Sequence, residues 1–105
     1  MNVDVEHRDE AAIVTVSGEL DLASAPHLDD RLRACEDGAH TVLVDLRGLT
    51  FMDSSGLRVI LAADARARSR GGRLLLVPGP PGVQRVFQLT LLDTRLEFVD
   101  DVPSA

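Results

Sequence analysis

The run Asp53-Ser54-Ser55-Gly56 places one carboxylate and two hydroxyls directly ahead of an apolar pattern with helical spacing. Such residues do one of two things there. One of them caps the helix by accepting from its unpaired backbone N–H groups, and the others face water. Alternatively, a hydroxyl is left over where the N–H groups and the helix dipole stabilise a phosphate, and Gly56 permits close approach. One cap suffices and three candidates are present, so both readings stand on the residues alone. A second polar group lies in Ser17–Ser24, SGELDLAS, where Glu19 and Asp21 follow a strand end and precede Ser24, a good helix N-cap. The two acids read either as loop residues favouring the positive end of a helix or as part of a surface gathered from the ends of adjacent strands.

Other chemistries find less support. His7, His27 and His40 fall on different elements with no i,i+4 pair and no cysteine companion, so no metal site is expected. Ser54 beside Asp53 has no histidine at a base position and no G-x-S-x-G elbow, so the chain is expected not to be an enzyme. Gly79-Pro80-Pro81-Gly82 lacks the Lys and Ser/Thr of a phosphate-binding loop, and no cofactor is expected. Cys35 sits on the apolar face of a helical pattern and reads as an inert core thiol. Arg66, Arg68, Arg70 and Arg73 read as a helix C-terminus followed by a strand start.

The 11 basic residues are all Arg, and 17 acids outweigh them to a net charge of −6. That sign opposes nucleic-acid binding and docking on anionic membranes. No apolar run approaches the ~20 residues of a membrane span, and Met1–Glu10 carries acids where a signal peptide is basic and then apolar. A single cysteine makes no internal disulfide. The cytoplasm is the expected compartment, and a monomer the expected state.

These groups must be held by the elements around them. Val3, Val5 and His7 alternate with charged residues as one strand; RDEA (Arg8–Ala11) turns into a second, Ala12–Ser17, which Gly18 ends. Ala25, Leu28, Leu32 and Cys35 form one helix face that Gly38 terminates. Thr41–Leu46 is a nearly continuous apolar run, as in a central strand covered on both faces. The helix opened by Asp53–Gly56 carries Leu57, Ile60, Leu61 and Ala65, and Gly71-Gly72 stops it. Arg73–Val77 is a strand and Pro78–Pro81 a rigid loop. Val83, Val86, Phe87 and Thr90/Leu91 form a short helix, Leu96–Val99 an edge strand, and Asp100–Ala105 either a further helix or a frayed end. The order is β-β-α-β-α-β-α-β: one α/β domain over residues 1–105, with a mixed, mostly parallel sheet and an N-terminal hairpin. Its 105 residues scale to roughly 5,700 Å² of folded surface, which suits one core.

In this order and spacing, the chain resembles the STAS domain and, within it, the bacterial anti-sigma factor antagonist family. The resemblance rests on Gly18–Asp21 (GELD), the apolar strand with its aspartate at Thr41–Leu46, and Leu49–Leu57 (LTFMDSSGL). It extends through Gly71–Leu74 (GGRL) to Val83–Leu89 (VQRVFQL), essentially the whole chain. It implies a non-enzymatic protein that, when unphosphorylated, binds an anti-sigma factor serine kinase and releases its sigma factor. In that family the first hydroxyl residue after the motif aspartate is phosphorylated by the kinase, which points to Ser54, and a phosphatase resets the switch. Asp21, Asp53, Ser54, Ser55, Gly56, Leu57 and Arg58 are the expected partner-binding residues. Ser55 is the rival acceptor. Arg58 departs from the small residue often found there; it reads as a solvated helix residue, a contact to the partner, or a pair for a phosphate one turn back. The alternative is a STAS subunit of a transporter or multi-protein signalling assembly, with Ser54 only a helix cap.

Overall fold

Asp9 and Glu10 join β1 (Asn2–Arg8) to β2 (Ala11–Leu20), with Arg8 paired to Ala11 across the turn. Asp9 takes φ +52°, a left-handed conformation that aspartate tolerates better than most residues. The computed structural model describes residues 1–90 and 95–102. After the hairpin come α1 (Ala25–Glu36), β3 (Thr41–Met52), α2 (Ser54–Ser69), β4 (Arg73–Val77), α3 (Pro81–Leu89) and β5 (Glu97–Phe98). The five strands lie side by side in chain order; β1 runs antiparallel to β2, and every later pair is parallel.

Because successive parallel strands advance in one direction across the sheet, right-handed crossovers put all three helices on one face. Their apolar residues confirm it. Leu28 and Leu32 of α1, Ile60 of α2, and Val83 and Phe87 of α3 share one core with Val14, Val44 and Leu76. On the opposite face, Ile13, Leu43 and Val77 form a smaller cluster under Leu75, Val99 and Val102. The central β3 is thus covered on both sides, as its unbroken apolar run requires. The total accessible surface is 5769 Å², in line with the size scaling.

The structure departs from the sequence reading at several points. Gly18 does not end β2, and β3 continues past Leu46 to Met52. The two strands stay paired through two register shifts, between Thr15 and Ser17 and between Gly18 and Glu19, each placing an extra residue on β3. Gly48 makes this possible, since a Cβ there would lie 2.9 Å from the Val16 carbonyl oxygen. Such bulges re-aim the end of a strand, here the one that leads into Asp53. In α2 the core-facing stripe is Gly56, Leu57, Ile60, Ala63 and Ala67, while Leu61 is half-buried and Ala65 exposed. The 3.6-residue repeat selects 56, 60, 63 and 67 together and turns 65 outward. His7 is exposed near the turn end of the edge strand β1. The paired part of the last strand is only Glu97–Phe98. The expectations for Leu91 and for Pro103–Ala105 fall outside the described residues.

The arginines at the end of α2 are structural. Arg66 bonds the buried Glu36 of α1 at 2.7 Å, and Arg68 pairs with Asp64 at 3.0 Å. Arg70 donates to the Glu36 and Ala39 carbonyls, and Arg73 meets Glu97. Cys35 is buried on the α1 core face, and that burial pushes its thiol pKa up.

Candidate functional site

The site begins with how α2 starts. Asp53 keeps an extended backbone (φ −115°, ψ −171°), and its Oδ1 accepts from the Ser55 N–H at 2.8 Å. Its own N–H donates to the Leu20 carbonyl at 3.2 Å, which ties the end of β3 to the end of β2. Of the three cap candidates, Asp53 therefore fills the role. Ser54 is the first residue of α2 and exposed, and its hydroxyl bonds no other described residue. Ser55 is half-buried beside it.

Gly56 sets the height of this turn. A Cβ on it would lie 2.5 Å from Leu20 Cγ and 3.0 Å from Met52 Cγ, so only glycine lets α2 seat on the ends of β2 and β3. Leu57 is 5% exposed and packs in the same core. Gly56 and Leu57, expected at a partner surface, are both buried in the chain and support Ser54 from beneath.

The β2–α1 loop is organised around Asp21. Its Oδ1 accepts from the Ala23 and Ser24 N–H groups, each at 3.1 Å, and its carbonyl accepts from the Ala25 N–H at 2.8 Å. The Ser24 hydroxyl accepts from the Asp21 N–H at 3.0 Å and donates to the Glu19 carbonyl at 2.8 Å. Bonding to Ser24 holds the Asp21 carboxyl below its ordinary pKa. Ser24 therefore does not cap α1 with its side chain. Asp21 already serves the free N–H groups of that turn, and the Ser24 hydroxyl is drawn back into the loop.

Leu20 pairs with Met52, so Asp21 and Asp53 each follow one member of a paired couple at the C-terminal ends of neighbouring parallel strands. Asp21, Asp53 and Ser54 consequently share one rim of the sheet, where loops of parallel strands gather. Two apolar side chains escaped the sequence reading: Leu22, 77% exposed, and Phe51, 48% exposed. A leucine inside the polar SGELDLAS stretch and a phenylalanine at an outward strand position were the available signals. Between α1 and α2 lies a groove of about 300 Å³ lined by Leu22, Ala25, Pro26, Asp29, Ser55, Arg58 and Val59. Arg58 is exposed at its edge.

This rim offers an uncommitted hydroxyl, two fixed carboxylates and exposed apolar surface, which suits recognition by another protein and modification at Ser54. Among the described residues, no helix is long and apolar enough to cross a membrane.

Comparison with known proteins agrees with the fold. The STAS domain family model matches residues 2–105. The anti-sigma-B factor antagonist of Bacillus subtilis (strain 168) is 30% identical over 98 residues, spanning 93% of this chain and 90% of that protein. The anti-sigma F factor antagonist of Paenibacillus polymyxa is 31% identical over 111 residues, covering 100% and 92% of the two chains. The crystal structure of an anti-sigma factor antagonist from Mycobacterium paratuberculosis superposes with a TM-score of 0.87 at 27% identity, covering 96% of this chain and 86% of that one. With its strand order, its single helical face and its full-length sequence match all in agreement, the chain belongs to the STAS domain family.

Proposed function

We propose that this STAS domain is an anti-sigma factor antagonist whose switch is Ser54. The unphosphorylated form binds an anti-sigma factor that is also a serine kinase and so releases the sigma factor. Phosphorylation of Ser54 by that kinase ends the interaction, and a phosphatase restores it. The protein acts in the cytoplasm as a binding module and supplies no catalytic group of its own.

The observation that carries this reading is the division of labour at the start of α2. Asp53 alone caps the helix, so the exposed Ser54 hydroxyl is spare, and a change on it leaves the cap intact. A phosphate there adds about −1.5 to −2 charges beside Asp53 and on the same rim as Asp21. Within the monomer, the helix N-terminus favours that charge. In a contact made around a neutral hydroxyl and two carboxylates, it brings repulsion, bulk and desolvation. A loss of about 3–4 kcal/mol weakens binding by two to three decades, enough for a switch without unfolding.

The test is to incubate the purified protein with ATP and each anti-sigma factor kinase of the source genome, then measure intact mass and map the peptide. Gain of one phosphate on Ser54 is the expected result. No modification by any of them, or modification mapped to Ser55 alone, overturns the assignment.

A further inference from the structure

Arg58 is exposed and makes no hydrogen bond or ion pair with another described residue. By contrast, Arg47, Arg66, Arg68 and Arg73 each meet a carboxylate. The acids nearest Arg58's groove are already engaged. Asp29 is held by Arg33 at 3.0 Å and lies 3.8 Å from Arg66, and the Asp53 carboxylate faces the Ser55 N–H. Among the described residues Arg58 is thus one of the arginines, with Arg31, Arg85 and Arg95, whose side chain forms no ion pair or hydrogen bond, and it stands four residues after Ser54 on α2.

That spacing makes the two side chains neighbours on the helix surface, with Cβ atoms about 5–6 Å apart. Helical side chains lean toward the N-terminus, so the long Arg58 side chain reaches back over the turn from which the Ser54 hydroxyl emerges. An anion placed N-terminal to a cation at this spacing is the favourable order. The guanidinium fork also matches two phosphate oxygens at once, which an ammonium does not.

We propose that Arg58 receives the phosphate of phosphorylated Ser54, closing a phosphate–guanidinium pair along the first turn of α2. The proposal rests on the reading of Ser54 as the modified residue and adds a second effect to the switch. Phosphorylation both creates a dianion and withdraws Arg58 from the groove it shares with Leu22, Ala25, Pro26 and Val59, so the partner loses a cationic contact as well. Asp53, Asp21 and Glu19 oppose the dianion from the same rim, and Asp29 competes for the guanidinium across the groove.

Phosphoserine installed at position 54 during translation tests this pair without any kinase. Phosphorus NMR titration of that protein, and of the same protein carrying Arg58→Gln or Arg58→Lys, reads the second ionisation of the phosphate. The guanidinium favours the dianion, so this pKa is expected about 0.5 units lower with Arg58 than with Gln, with Lys in between. The gap should shrink in ~1 M salt. A merely structural role for Arg58 leaves the phosphate pKa unmoved. Equal values for Arg58 and Arg58→Gln, with both proteins folded by circular dichroism, overturn the pair. The two failures are distinguishable, since a negative kinase assay removes the switch while this titration alone decides the pair.

Discussion

Truncating Asp53 and Ser54 separately divides the structural from the spare group at the start of α2. In Asp53→Ala, the Ser55 N–H loses the carboxylate that accepts from it at 2.8 Å, and the helix loses a negative charge at its positive end. Losing an N-cap costs about 0.5–2 kcal/mol, typically about 1, and loss of the charge contributes about 0.3–1 more. In Ser54→Ala, an exposed hydroxyl without a bonding partner is replaced by the best helix former, so the change should stay within about 0.5 kcal/mol in either direction. The sequence contains no Trp or Tyr, so far-UV circular dichroism is the probe for urea unfolding. Asp53→Ala should lower the midpoint with an unchanged slope, and lower the melting temperature by about 4–8 °C per kcal/mol. Ser54→Ala should overlay the parent. If Ser54→Ala costs as much as Asp53→Ala, the hydroxyl is structural and the reasoning that frees it for a switch is refuted.

Gly56→Ala should destabilise by about 1–2 kcal/mol in the same assay. The clash with Leu20 outweighs the roughly 1 kcal/mol by which Ala is the better helix former, and a neutral result would show that α2 does not seat as described. Asp45 is held below its ordinary pKa by hydrogen bonds from Arg47, against the opposing effect of burial. A lowered folded pKa gives stability that is present above the unfolded value of about 3.9 and is lost as pH falls through the folded one. Asp45→Asn should therefore melt below the parent at pH 7, and the gap should close below about pH 4. Leu22→Ala removes a side chain that is 77% exposed, so its melting temperature should stay unchanged. Titration with the anti-sigma factor should show binding weakened about tenfold or more, the value of burying a leucine at the contact.

Element order and the location of the rim were legible because they rest on local signals. Apolar periodicity marked the helices, turn residues marked the hairpin, and Asp53–Gly56 marked the start of α2. What stayed hidden depends on pairing between distant segments. Nothing in Gly18–Leu20 or Arg47–Met52 alternates cleanly, and only the bulged pairing of β2 with β3 around Gly48 keeps both strands extended. Which of Asp53, Ser54 and Ser55 caps α2 was undecidable from composition, since all three types suit the position; backbone geometry selects Asp53. The same limit applies to Ser24, an apt cap by type, whose hydroxyl the Asp21 turn claims instead. Gly56 looked like an opening toward a partner because close approach to the core reads the same way from sequence.

The central claim is that a phosphate on Ser54 disrupts a contact without disrupting the fold. Its most direct test is calorimetric titration of the anti-sigma factor with the Ser54 protein and with the same chain carrying phosphoserine at position 54, alongside urea unfolding of both. The expected result is matching unfolding midpoints and binding weakened about 100- to 1,000-fold by the phosphate. Equal affinities for two folded forms would contradict the account.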